Sequence, residues 1–255
     1  MNQTDKKIIV ACHGASITRG LGSFNWINEL KKRPQNARYE LLNFGVGGDP
    51  ASNGLERLPH VLAARPDKVI VAFGWNDIIL AVFPETQRLL GRAKKLPEKP
   101  TIDSFRINLE AIVGALKGAG IKDIALMSLS QMGEDPDSTE PVQAELNKRF
   151  AEYSAVVKRI ADAEGIYYIP FYEALHDALM RTKHHKPFKA FHFRNFYWDA
   201  AREFVFGRKL DTVAFANGWD FHVDGLHLNT RGGMILTELV QKYLDETGAV
   251  SSPEA

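Results

Sequence analysis

Apolar positions fall into short continuous runs separated by stretches of helical spacing. Ile8-Ile9-Val10-Ala11-Cys12 follows two lysines and breaks at Gly14, which predicts a short, fully buried strand. Similar runs predict strands over 39–44, 67–73, 123–129 and 166–170. Between them, Phe24, Ile27 and Leu30 predict a helix over 24–32, stopped by Pro34. Leu55, Leu58, Val61 and Leu62 predict a second over 51–64. Phe105, Leu109, Ile112, Val113 and Leu116 predict a third over 103–117, closed by Gly118 and Gly120. Helices are further predicted over 140–164, ended by Gly165, over 171–181, and over 232–244. Residues 84–100 hold three prolines and no strong period, so they read as an excursion over the surface. Apolar strands alternating with helices predict a parallel sheet covered on both faces. One domain over 1–255 suffices, with no repeat.

Residues 183–221 break the alternation. They contain Phe188, Phe191, Phe193, Phe196, Tyr197, Trp198, Phe204, Phe206, Phe215, Trp219 and Phe221, too aromatic for a plain solvated loop. A helical piece is expected over 196–206. The insertion is read as a lid, a pocket wall or an interface, the last leaving a homo-oligomer open.

Composition narrows the classes. With 255 residues, 45% of them hydrophobic, the chain can bury a sizeable core. A net charge of +1, from 32 basic and 31 acidic residues, gives no field for nucleic acid or a charged membrane. The single cysteine, Cys12, excludes an internal disulfide and a multi-cysteine metal site, and its apolar run makes it a buried thiol. Residues 1–7 are polar and no apolar stretch approaches ~18 residues, so neither a signal peptide nor a membrane span is expected. The expectation is a soluble, cytoplasmic protein. Gly14 to Gly20 does not fit a dinucleotide fingerprint, and no acidic residue ends the second strand to hold a ribose. His184, His185, His176 and His192 have no Asp, Glu or Cys at ligand spacing, so no metal is expected there.

Chemistry collects at strand carboxyl ends in such sheets. Ser16 stands two residues past Gly14. Its ordinary role would be a helix cap, as Asp49 before Pro50 would cap the next helix. Gly48 follows the second strand and Asn76 the third. Near the carboxyl terminus comes Asp224-Gly225-Leu226-His227. A serine hydroxyl needs a base within reach, a histidine suits that task, and an Asp three residues before it can fix the tautomer across one turn. The Ser16 and Gly48 N–H groups and the Asn76 amide could hold a developing oxyanion. A glycine at 48 lets the backbone approach closely. Trp75, His222 and Trp219 are candidates for substrate contact, although a solvent-facing or core role suits His222 better. Asp77 is expected to order its turn through local N–H groups.

Four blocks in this order resemble the SGNH, or GDSL-type, hydrolase superfamily of esterases, lipases and acylhydrolases. They are Gly14-Ala15-Ser16-Ile17-Thr18, Asn43 with Gly48-Asp49, Gly74-Trp75-Asn76-Asp77, and Asp224-Gly225-Leu226-His227. The resemblance implies a flavodoxin-like α/β/α sandwich with about five parallel strands in the order 2-1-3-4-5. It implies Ser16 as nucleophile, His227 as base, Asp224 as its orienting partner, and Ser16, Gly48 and Asn76 as the oxyanion hole. No metal or organic cofactor is implied, and the substrate would be a small-molecule ester. An acyltransferase on the same acyl-enzyme, or a binding protein on a decayed hydrolase fold, are the alternatives. Ala15 departs from the pattern, which has Asp before the nucleophile. Other contacts are then expected to hold the loop, with His13 and Asp49 as candidates.

Overall fold

The computed structural model describes residues 6–182 and 209–248. Five strands, β1 (Ile8–Gly14), β2 (Tyr39–Gly45), β3 (Lys68–Ala72), β4 (Asp123–Met127) and β5 (Tyr167–Ile169), form one sheet in the order β2-β1-β3-β4-β5. All pairings are parallel. Each expected strand is present within a few residues of its expected limits. Both flanks of β1 and β3 lie under helices, so their side chains have no polar face to alternate with. Val10, Ala11, Cys12, Val69, Ile70 and Val71 are accordingly all buried.

The helices are α1 (Ser16–Arg19), α2 (Trp26–Lys31), α3 (Ala51–Glu56), α4 (Leu58–Ala63), α5 (Trp75–Val82), α6 (Pro84–Ala93), α7 (Ile102–Gly118), α8 (Pro141–Glu164), α9 (Phe171–Arg181), α10 (Leu210–Asn217) and α11 (Thr230–Gly248). Contacts of α7 with α3 and α8 build one layer, and those of α11 with α2 and α9 build the other. The three-layer α/β/α sandwich expected from the sequence is therefore the architecture observed.

Two local expectations need correction. Residues 84–100 are not a bare excursion, because Pro84 opens α6 at a position where its missing N–H costs nothing. The helix expected over 51–64 is two helices meeting at Arg57, since Pro59 cannot donate to the carbonyl one turn back. Of the aromatic segment, residues 183–208 lie outside the described residues, and with them the piece expected over 196–206 and the histidines at 184, 185 and 192. No helix among the described residues is long and apolar enough to cross a membrane.

Register positions the site. Gly14 pairs with Gly45 on one side and with Ala72 on the other, so the first three strands stop level with one another. The turns that carry Ser16, Gly48 and Asn76 thus emerge side by side.

Candidate active site

Ser16 is the first residue of α1, and the capping position before it is Ala15, which has no side-chain acceptor. The hydroxyl is therefore not used as a cap. Its Oγ lies 3.0 Å from His227 Nε2, while His227 Nδ1 lies 2.7 Å from Asp224 Oδ2. The other oxygen, Asp224 Oδ1, accepts from the Leu226 N–H at 2.9 Å and the His227 N–H at 2.8 Å. Burial pushes the Asp224 carboxyl up, but the His227 ring and these hydrogen bonds outweigh it and hold it below the usual carboxylate range. An ionised Asp224 accepts at Nδ1, which makes Nδ1 the protonated nitrogen and leaves the Nε2 lone pair facing Ser16.

Gly48 has φ +78°, a left-handed conformation that favours glycine, and a Cβ there would meet Leu90 at 3.0 Å and Lys94 at 3.1 Å. Asn76 is buried in the first turn of α5 and gives one amide hydrogen to the Asp49 carbonyl at 3.0 Å. The second has no acceptor among the described residues. Ser16 heads its helix, so its N–H has no intrahelical acceptor either.

The position left by Ala15 is secured from outside. The Arg57 guanidinium donates to Gly14 O at 2.6 Å, Phe44 O at 2.6 Å and Asp49 Oδ2 at 2.6 Å. Lys94 donates to the other Asp49 oxygen at 2.6 Å and to Gly47 O at 2.7 Å. His13 Nε2–H donates to Gly54 O at 2.9 Å, so Nδ1 turns its lone pair toward Arg57 at 3.3 Å. Burial and the Arg57 cation push His13 down to about 3, which keeps this ring neutral. Asp49 consequently does not cap α3. That task falls to Asp77, whose carboxylate accepts the Ala51 N–H at 3.1 and 3.2 Å. Both expected candidates, His13 and Asp49, take part, but Arg57 joins them to the nucleophile loop.

Residues 12–195, more than half of the chain, match the GDSL-like Lipase/Acylhydrolase family. The chain belongs to that family. Over 90 residues it is 34% identical to Esterase TesA of Pseudomonas aeruginosa, a match covering 32% of this chain and 45% of that esterase's length. Its fold is similar to that of an acetylxylan esterase from Geobacillus stearothermophilus (TM-score 0.61, 19% identity, 94% of this chain and 96% of that one). It is also similar to a lipase/acylhydrolase from Enterococcus faecalis (TM-score 0.59, 21% identity, 97% and 99%).

Within this GDSL family member, the residues expected to contact substrate divide. Trp75 is buried, and its Nε1–H donates to Ser130 O at 3.0 Å and lies 3.1 Å from Ser130 Oγ, so it belongs to the core. His222 is fully buried on Glu134, 2.8 Å from Nδ1 to Oε1, in the core role its position also allowed. Trp219 packs its ring against Gly225. Arg57, Lys94 and Glu134 were not among the expected residues. Their partners are largely backbone atoms, which no spacing in the sequence marks. Among the described residues no cluster of three or more His, Cys, Asp or Glu could hold a metal ion.

Proposed function

We propose that this GDSL family member is a serine esterase that cleaves carboxylic esters through an acyl-enzyme on Ser16. The observation that carries the reading is the relay from Ser16 Oγ through His227 to Asp224, with contacts of 3.0 and 2.7 Å. His227 Nε2 takes the Ser16 proton as Oγ bonds to the ester carbonyl carbon, and Asp224 supports the imidazolium that forms. The carbonyl oxygen gains the negative charge, which the Ser16 and Gly48 N–H groups and the free Asn76 amide hydrogen receive. His227 then returns its proton to the departing alkoxide, releasing the alcohol. In the second half, water loses a proton to His227 and attacks the acyl carbon, and the protonated ring restores Ser16. The position of α6 beside Gly48 supports a wall close to the reacting centre, with Leu90 its apolar contact. Acetylxylan esterases share the fold, which favours short acyl groups, acetyl among them.

The test is hydrolysis of p-nitrophenyl acetate, butyrate and longer esters, with acetylated xylooligosaccharides alongside, and labelling by a fluorophosphonate. Label on Ser16 and a rate rising with pH through a group near ~6.5–7 are expected. Ser16→Ala and His227→Ala should each lower turnover by several orders of magnitude, and the double variant by little more. Absence of both hydrolysis and label, or additive losses, would overturn the reading.

A further inference from the structure

Asp224 lies in the irregular stretch between α10 and α11, yet its carboxylate must stay within hydrogen-bond distance of His227. Such a stretch holds position only through tethers to rigid elements. The strongest come from the loop after β4, about ninety residues earlier in the chain. The Gly133 N–H donates to Gly225 O at 2.7 Å, the carbonyl immediately after Asp224. The Glu134 carboxylate, fully buried, accepts from three consecutive backbone N–H groups: Asp220 at 2.7 Å, Phe221 at 2.8 Å and His222 at 3.0 Å. The His222 ring adds a fourth donor at 2.8 Å.

A buried carboxylate is costly unless its lone pairs are filled, and here four donors fill them. Burial pushes the Glu134 carboxyl up, but the His222 ring and the Asp220 and Phe221 N–H groups together hold it below the ordinary range. It is thus an ionised acceptor under working conditions. The loop that carries it is fixed in turn. Gln143, in the first turn of α8, donates to Met132 O at 2.9 Å, and Asn147 donates to Asp135 O at 2.9 Å and Pro136 O at 3.0 Å. Gly133 has φ +81°, and a Cβ there would strike the Gln143 side chain at 2.2 Å.

We propose that Glu134 is a positioning residue for the acyl-transfer reaction, fixing Asp224 against His227 by gripping residues 220–222 while Gly133 grips Gly225. The inference rests on the serine-esterase reading above. Its own signature is the Nδ1 proton that His227 shares with Asp224, which can be observed without substrate. The experiment uses the full chain, selectively ¹⁵N-labelled at histidine, with Glu134→Gln, which keeps shape but removes charge and two acceptor sites. Folding is checked by circular dichroism. Expected are a kcat on p-nitrophenyl acetate lower by ~10–10²-fold with KM nearly unchanged, and loss or upfield movement of the His227 low-field resonance. Glu134→Asp, which keeps the charge on a shorter stem, should restore part of both. A kcat within about threefold of the parent, or a fall in kcat with that resonance unmoved, would overturn the proposal. If Glu134→Gln does not fold, Glu134→Asp is judged by the same two readings. Failure of the serine reading looks different, because the parent protein itself would then neither hydrolyse ester nor take label on Ser16.

Discussion

The Asn76 amide gives one hydrogen to the scaffold and, in the proposed reaction, the other to the oxyanion. One hydrogen goes to Asp49 O, in the turn that also carries Gly48, so a single side chain links two components of the proposed oxyanion hole. Truncating it therefore removes the proposed oxyanion donor together with the tie to the Gly48 turn. Asn76→Ala is expected to lower kcat by about 10²–10³ while KM changes little, because the lost bond strengthens only as the carbonyl oxygen becomes charged. Steady-state kinetics on p-nitrophenyl acetate check this, and a change confined to KM would place Asn76 in ground-state binding. Ala15 is the opposite case. A methyl group replaces a carboxylate that could have bonded the loop, and the loop is held through the carbonyl of Gly14 instead.

At the level of elements, Arg57 ties the loop instead. Standing between α3 and α4, it reaches the ends of β1 and β2 and the acid of the Gly48 turn with one planar group. A lysine would bring the same charge but could not span three acceptors in different directions. Arg57→Lys is expected to slow phosphonylation of Ser16 by about 10²-fold with the fold intact, measured as the rate of fluorophosphonate labelling. A rate within about threefold of the parent would show that the turn holds itself. The strands were legible in the sequence because each is a continuous apolar run, and the candidate site residues Ser16, Gly48, Asn76, Asp224 and His227 stood out because they fall at strand ends or at one-turn spacing. Arg57, Lys94 and Glu134 were not. A single charge within a helix or polar loop reads as a solvated face, and nothing in a sequence marks the carbonyl or N–H group that a distant fold brings to it. The helix at Pro84 was hidden for a different reason, since proline opens helices as readily as it ends them.

Across the whole molecule, these arrangements set opposing responses to pH. Asp224, Glu134 and Glu238 are held below their ordinary range, so each adds stability above the unfolded value near ~4 and loses it in acid. Asp77 opposes them. Burial beneath the Gly48 turn raises its carboxyl to about 7, against a lowering by the Ala51 N–H and its own. Between ~4 and 7 the folded chain therefore binds more protons at this site than the unfolded chain, and stability from Asp77 falls as pH rises through that window. Asp77→Asn keeps an oxygen for the Ala51 N–H and cannot ionise. Its Tm relative to the parent should thus climb from pH 4.5 to pH 8 and level off above that. A difference in Tm that stays constant across the range would mean that Asp77 is ionised in the fold throughout, with the cap on α3 compensating its burial in full. The climbing difference would instead show the carboxyl end of the sheet accepting a stability cost at neutral pH to hold the turn that carries Gly48.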